Sequence, residues 1–232
     1  MLALDCTECE ARKGSVFSGL CAHNLTQLNE QKSANTYKKG QILFHEGTRP
    51  MGIFCINRGK VKIYRLGSDG KEQIITIASV GDVLGYKAML SEENYSVSGE
   101  TLEDCNICFI PRVNFLEMLE QSSELYQRLL KKVCQEMGLM IEKLINLAQK
   151  SVRERMALTL VMLHDTYGLD AVNNGPVVIN LTREDLANIV GTATETLIRL
   201  LHDFKDEGLV STEGRRIMIT DPVQLARVGG LY

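Results

Sequence analysis

No run of about eighteen apolar residues, the least a membrane-crossing helix needs, occurs anywhere in the 232-residue chain. A secretion leader is also missing. The N-terminus, MLALDCTECEARK, sets acidic and cysteine residues where a leader requires a basic start and an apolar stretch. The expected location is the cytoplasm, with no membrane partner. Clustered histidine is the third absence: the four histidines, His23, His45, His164 and His202, stand singly, and neither H-x-H nor H-E-x-x-H occurs. A cupin-type metalloenzyme therefore lacks its ligand set, and no enzyme activity is expected. Positive charge is scarce as well. The net charge is -3, and from Lys150 onward nine Lys/Arg face eleven Asp/Glu. That balance excludes a sequence-blind wrapper of nucleic acid, which needs a strong positive field. Any DNA contact must use a local positive face and give a moderate salt slope. Seven cysteines, an odd number, read in a cytoplasmic chain as thiols or metal ligands before disulfides.

What is present is most specific between Leu181 and Thr220, LTREDLANIVGTATETLIRLLHDFKDEGLVSTEGRRIMIT. The spacing predicts a helix opening at Thr182, whose hydroxyl caps free backbone N–H groups, with Asp185 as an acidic variant of the capping box. Leu186, Ile189 and Val190 form its apolar face, and Gly191 ends it in a sharp turn. A second helix runs from about Thr194 to Glu207, with Leu197, Leu200, Leu201 and Phe204 facing the core. Its other face carries Thr194, Glu195, Ile198, Arg199 and His202. Glutamate accepts from a cytosine amino group and arginine forks onto guanine O6 and N7, so Glu195 and Arg199, four apart on one face, can read a G·C pair. An ordinary solvated ion pair is the competing account of that spacing. Gly208 stops the helix, and two strand-like runs flank Glu213-Gly214 beside Arg215-Arg216. This is a winged helix-turn-helix with basic residues placed for phosphates.

The 44% hydrophobic content suits one large or two small domains. Residues 1–16 read as a flexible arm carrying Cys6 and Cys9 in a C-x-x-C. A short helix follows from near Cys21 to Lys32. Between Tyr37 and Pro111, glycine-punctuated strands near Ile42–His45, Ile53–Asn57, Lys60–Leu66, Gln73–Ala78, Ser96–Thr101 and Asn106–Ile110 give an all-β sandwich or jelly roll. Ser68-Asp69-Gly70-Lys71 is its clearest hairpin turn. Pro111 opens a short helix to about Glu120, and Ser122-Ser123 caps a long one from Glu124 to Lys150. Along it Tyr126, Leu130, Val133, Met137, Met140, Leu144 and Leu147 form a heptad seam for a second copy. Leu129, Cys134, Ile141, Ile145 and Ala148 widen the stripe toward the helix's own β domain. Ser151–Tyr167 is another amphipathic helix, 168–175 a polar loop, and Pro176–Asn180 a strand leading to Thr182. The boundaries are an arm (1–16), a β-roll (17–120), a coiled-coil helix (121–150) and the winged domain (151–232).

A β-roll, a dimerising helix and a winged helix-turn-helix in that order resemble the CRP/FNR family of bacterial transcription regulators, from about Phe17 to the end. Lys39-Gly40-Gln41-Ile42-Leu43-Phe44, Gly81-Asp82, Leu181 through Ala187 with Gly191, and Glu195 through Leu201 carry the likeness. It implies an α+β fold with an N-terminal double-stranded β-helix, a jelly roll like cyclic-nucleotide-binding domains, ahead of the dimerisation helix and DNA-binding domain. It also implies double-stranded DNA, a second copy of the chain and RNA polymerase as partners. By the same resemblance Glu195 and Arg199 read the G·C pair of a TGA-type half-site, and Thr182, Arg183, Thr192, Thr196, Arg215 and Arg216 lie along the DNA contact. Threonine stands at 194 where cyclic-AMP-type members have arginine, so the half-site is TTGA-like. Ala193 replaces a common capping Ser or Thr.

The resemblance also locates an effector pocket at Gly85, Tyr86, Lys87, Tyr95 and Ser96. There Tyr86 and Tyr95 replace the glutamate and arginine that hold a cyclic nucleotide. A buried phosphodiester needs that arginine, so ordinary cyclic-AMP binding is not expected and the effector stays open. FNR-type members hold an iron–sulfur cluster with three arm cysteines and one in the β domain. Cys6, Cys9 and Cys108 match three of these, and Cys21 is the substitute for the third arm cysteine. Cys105 and Cys108, three steps apart on a strand, face opposite sides.

Overall fold

The computed structural model describes residues 5–168 and 177–231. The expected loop beyond Gly168 and Pro176 at the strand start lie outside them. The chain forms two compact units, Met1–Arg65 with Ile75–Gly138, and Leu66–Ile74 with Leu139–Tyr232. Among the described residues no helix is long and apolar enough to cross a membrane.

In chain order the first elements are α1 (Glu10–Lys13), α2 (Ala22–Gln31), β1 (Ser33–Tyr37), β2 (Ile42–Phe44), β3 (Gly52–Arg58), β4 (Val61–Leu66) and β5 (Glu72–Ala78). Then come β6 (Val83–Leu84), α3 (Tyr86–Leu90), β7 (Ser98–Thr101), β8 (Cys105–Pro111), α4 (Arg112–Gln121) and α5 (Ser123–Gln149). The strands make two four-stranded sheets, β1-β8-β3-β6 and β2-β7-β4-β5. Phe44, Phe54, Ile56, Val61, Cys105 and Ile107 form one core cluster. Period-two alternation sends the intervening side chains of β3 and β8 to a second cluster. There Ile53 and Ile110 meet Phe17, Leu28, Phe115, Met118, Leu125 and Leu129 from the arm and helices. Strand β3 is thus covered on both faces, which is why GIFCIN reads as a nearly unbroken apolar run. Each fully buried aliphatic or aromatic side chain here contributes about 1.5–3 kcal/mol.

Turns and caps follow local chemistry. Lys71 N–H donates to Asp69 Oδ1 (3.1 Å) in the β4–β5 turn, and Leu125 N–H donates to Ser122 Oγ (3.2 Å) at the start of α5. At Gly59, with φ +94°, an added Cβ meets Cys105 Sγ at 2.5 Å, so the β3–β4 turn tolerates only glycine. Strands β1 and β6 and helix α3 lie outside the sequence expectation. The first is a polar SANTY segment held by backbone pairing to β8, and the second has two residues.

The arm is a correction. Residues 5–16 are folded, with Cys6, Val16 and Phe17 each under 8% exposed. Arg12 holds the segment by donating from Nε to the Cys6 carbonyl (2.8 Å) and from its terminal nitrogen to Phe17 and Ser18 carbonyls. Buried apolar area and these charge-assisted bonds outweigh the entropy of a loose tail.

The second unit holds α6 (Val152–Gly168), β9 (Val178–Asn180), α7 (Arg183–Val190), α8 (Thr194–Asp206), β10 (Val210–Glu213), β11 (Arg216–Ile219) and α9 (Pro222–Val228). Strands pair in the order β10-β11-β9. Met156, Leu160, Leu163, Ile179, Leu186, Leu197, Phe204, Ile217 and Leu225 are all fully buried. Asp221 Oδ1 caps α9 by accepting from Gln224 N–H at 2.9 Å.

Candidate nucleic-acid interface and thiol cavity

Helix α7 begins as its sequence dictates. Thr182 Oγ1 accepts from Asp185 N–H at 2.9 Å, and the Thr182 hydroxyl donates to the Asp185 carboxylate at 2.6 Å. This Thr182–Asp185 pairing is the acidic variant of the capping box that the sequence predicts. Gly191, at φ +72°, ends the helix. Arg155, which the sequence gave no reason to single out, ties this corner by donating to the Val190 and Gly191 carbonyls. Within the same unit Lys71 donates to the Thr192 carbonyl (3.3 Å) and Gln73 to the Asn188 carbonyl (2.6 Å).

Helix α8 starts at Ala193 with no side-chain cap. It buries Leu197, Leu201 and Phe204, while Leu200 is half-buried. The opposite face leaves Glu195, Ile198, Arg199 and His202 exposed, with Thr194 and Thr196 half-buried at its margin. His202 Nδ1 lies 2.9 Å from Asp206 Oδ2. Among the described residues no ion pair joins Glu195 to Arg199, and both are exposed. In the wing Arg215 and Arg216 are exposed. Arg183 donates to the Gly214 carbonyl at 2.9 Å, bracing the wing, and its other terminal nitrogen is buried without a protein partner.

Along α5 the heptad positions are largely bare: Tyr126, Leu130, Met137, Met140, Leu144 and Leu147 are 38–71% exposed. Val133 is half-buried and packs on the first unit's core. Of the residues expected to widen the stripe inward, only Leu129 is buried. Cys134, Ile141, Ile145 and Ala148 are exposed and join the bare face.

Of the five expected effector residues, Gly85, Tyr86, Lys87 and Tyr95 are engaged in protein contacts. Tyr86 is 2% exposed and its hydroxyl donates to Glu136 Oε2 at 2.8 Å, while Lys87 pairs with the same carboxylate. Burial, then that hydrogen bond, pushes the Tyr86 phenol far up. Tyr95 stacks on Phe44 with centroids 4.3 Å apart and reaches the Gly52 carbonyl, and burial pushes its phenol up to about 12. At Gly85 a Cβ meets Tyr95 Oη at 3.0 Å. Gly85, Tyr86, Lys87, Tyr95 and Ser96 line no shared cavity with the cysteines.

A cavity does lie between the arm and the β3–β8 ladder, and Cys6, Cys9, Cys55 and Cys108 all line it. Cys55 and Cys108 are register partners on antiparallel strands. Lys32 Nζ donates to Cys6 Sγ at 2.9 Å and Asn57 Nδ2 to Cys9 Sγ at 3.2 Å. Burial first, then the neighbouring thiols, pushes Cys55 well above the ordinary thiol range, and burial raises Cys108. Cys21 corrects the sequence expectation. It is exposed at the start of α2 and outside this cavity, because a residue preceding a helix whose buried side chains are Asn24, Leu25 and Leu28 points to solvent. Cys105 sits in the other core cluster, against Gly59.

The cavity allows a test of the group that FNR-type proteins carry. A single metal ion does not fit: among the described residues no three His, Cys, Asp or Glu side chains gather closely enough to hold one. An iron–sulfur cluster spreads its thiolates over several irons, so its ligands surround a volume instead of converging on a point. The space the four thiols enclose is about 40 Å³, room for a few waters and short of what a cluster with its sulfides fills, so the residues as placed do not fit that group.

The sequence matches the cyclic nucleotide-binding domain family over residues 34–122 and the Crp-like helix-turn-helix domain family over 154–228, between them more than half the chain. It is 27% identical over 226 residues to the transcriptional activator protein Anr of Pseudomonas aeruginosa, spanning 97% of this chain and 92% of that protein. To the fumarate and nitrate reduction regulatory protein of Escherichia coli it is 27% identical, spanning 98% and 91%. Its fold is that of FixK2 from Bradyrhizobium japonicum, with a TM-score of 0.75 at 21% identity over 85% of this chain and 96% of that one. A crp/fnr-family regulator from Eubacterium rectale matches with a TM-score of 0.72 at 18% identity, over 93% and 97%. With the two domain signatures in this order, and with regulators of this kind as relatives over nearly its whole length, the chain belongs to the FNR-like branch of the CRP/FNR family of DNA-binding transcription regulators.

Proposed function

We propose that two copies join along α5 and read a TTGA-like palindrome under control of a redox, oxygen or nitric-oxide signal received in the first unit. The observation that carries the DNA reading is the bare face of α8. Glu195 and Arg199 are exposed and unpaired with one another, so neither must break a salt bridge before meeting a base. Arg215 and Arg216 flank the wing turn for phosphate contact, and Thr182, Arg183, Thr192, Thr194, Thr196, Ile198 and His202 complete the surface. Two recognition helices on a twofold axis enter major grooves roughly 34–36 Å apart, matching a site of about 22 base pairs. We further propose that the protein acts in the cytoplasm as a regulator, not an enzyme, with RNA polymerase as its downstream partner.

The cavity lined by Cys6, Cys9, Cys55 and Cys108 is where that signal is received. Lys32 and Asn57 donate to two of the sulfurs, and Arg12 fixes the arm that brings Cys6 and Cys9 to the cavity. The test is a binding titration at about 150 mM salt with anaerobically purified protein. A TTGA palindrome should bind at least tenfold tighter than a scrambled duplex. Equal affinity for both refutes the sequence-specific reading.

A further inference from the structure

We infer that Lys71 and Gln73, at the tip of the β4–β5 hairpin, are positioning residues for DNA reading: they hold the α7–α8 corner from which the reading helix projects. This rests on the proposed reading by α8 and adds two side chains, outside the helix-turn-helix itself, that fix its pose.

A helix ends on carbonyls that lack an intrahelical partner. After α7 the chain turns at Gly191, and the Gly191 and Thr192 N–H groups both return to the Ala187 carbonyl. The Asn188, Val190, Gly191 and Thr192 carbonyls accept instead from three side chains of segments far away in sequence. Arg155 of α6 serves Val190 and Gly191, Gln73 Nε2 serves Asn188 at 2.6 Å, and Lys71 Nζ serves Thr192 at 3.3 Å. The two cations also meet the negative end of the α7 dipole.

The hairpin is built for this task. Residues 66–74 belong to the same compact unit as the helix-turn-helix. The tip is closed by Gly67 N–H on the Lys71 carbonyl (2.8 Å) and Gly70 N–H on the Gly67 carbonyl (3.0 Å), so its side chains start from a fixed backbone. Lys71 and Gln73 stand two apart, and extended-chain alternation sends both to one side. The Gln73 amide also donates to the Ile74 carbonyl (3.3 Å), which sets its orientation, and a Cβ added at Gly191 comes within 3.7 Å of Gln73 Oε1. Base edges are read through hydrogen bonds of narrow geometry, whereas phosphate contacts carry no sequence information. A loosened corner therefore lowers affinity for the palindrome and spares affinity for other DNA.

The measurement titrates the full chain with the TTGA palindrome and with a scrambled duplex over a range of salt. Lys71→Met with Gln73→Ala should lose roughly tenfold in palindrome affinity while the scrambled duplex binds as before. Lys71→Arg keeps a donor and should match wild type; Gln73→Glu keeps the shape without an N–H and should behave like Gln73→Ala. The slope of affinity against salt should not change. A slope lower by about 1 per copy would make Lys71 a phosphate contact and overturn the positioning role. Hydrogen exchange on the DNA-free protein gives the second readout: the Gly191 and Thr192 amides should exchange severalfold faster in the double variant, with α6 and the melting temperature unchanged. Palindrome affinity that stays or rises in the double variant, or corner exchange equal to wild type, overturns the inference. A wild type that does not prefer the palindrome refutes the TTGA reading, and the exchange comparison then decides the corner by itself.

Discussion

Leu144→Ala is the sharpest probe of the bare face on α5. The side chain is 71% exposed in the single chain. Full burial of a leucine side chain is worth about 1.5–3 kcal/mol, so a seam covering the exposed part yields roughly 1–2 kcal/mol per copy. Twofold symmetry doubles the loss in the dimer to about 2–4 kcal/mol, a weakening of roughly 30- to 1,000-fold in the dimer dissociation constant. The fixed cost of association is common to wild type and variant and cancels in the difference. Sedimentation equilibrium over a range of concentrations reads that constant, and circular dichroism should show an unchanged helix content. Leu129→Ala is the counterpart. That residue is 2% exposed and belongs to the first unit's core, so its truncation costs about 2–5 kcal/mol of folding stability and leaves the dimer constant near wild type. A Leu144→Ala dimer constant within threefold of wild type refutes the seam.

Arg199→Ala should relax discrimination at the half-site guanine by about 1–3 kcal/mol, read by competition between matched and mismatched duplexes; an equal loss on every sequence assigns Arg199 to phosphate alone. Thr182→Ala removes both hydrogen bonds at the head of α7 and should cost about 1 kcal/mol, seen as a drop of roughly 2–4 °C in Tm. Tyr95 holds its proton in the folded chain up to about pH 12, whereas a free phenol releases it near 10.0. Between those values the unfolded chain binds fewer protons, so stability falls as pH rises. Denaturant titrations should show a shallower alkaline loss in Tyr95→Phe than in wild type.

How much of this was legible in the sequence varied with the range of the forces involved. Helix α8 announced its two faces because a period near 3.6 sorts Leu197, Leu201 and Phe204 from Glu195, Ile198 and Arg199 within a few turns. The caps at Thr182 and Ser122 are equally local. Strand β1 escaped because its SANTY residues carry no apolar alternation and its place is fixed by backbone bonds to β8. The arm escaped for a related reason: Cys6 is buried by Asn29, Lys32 and the ladder, none of which lies near it in sequence. Cys55 was hidden within the apolar run GIFCIN, where a cysteine reads as one more small core residue. Its alternation with Phe54 and Ile56, combined with the Cys108 register, is the signal that finds it.

The cavity that gathers these sulfurs has a consequence for how the protein is made. Cys6 and Cys9 leave the ribosome first, Cys55 follows, and Cys108 emerges roughly a hundred residues after Cys6. The arm cannot close over β3 and β8 until β8 exists, so during synthesis the early thiols wait without their partner wall. Domains form as units once their chain is complete. Closure of this cavity is therefore tied to the end of the first unit's synthesis, and an oxidant present in that interval meets the Cys6 thiol, which the finished protein buries.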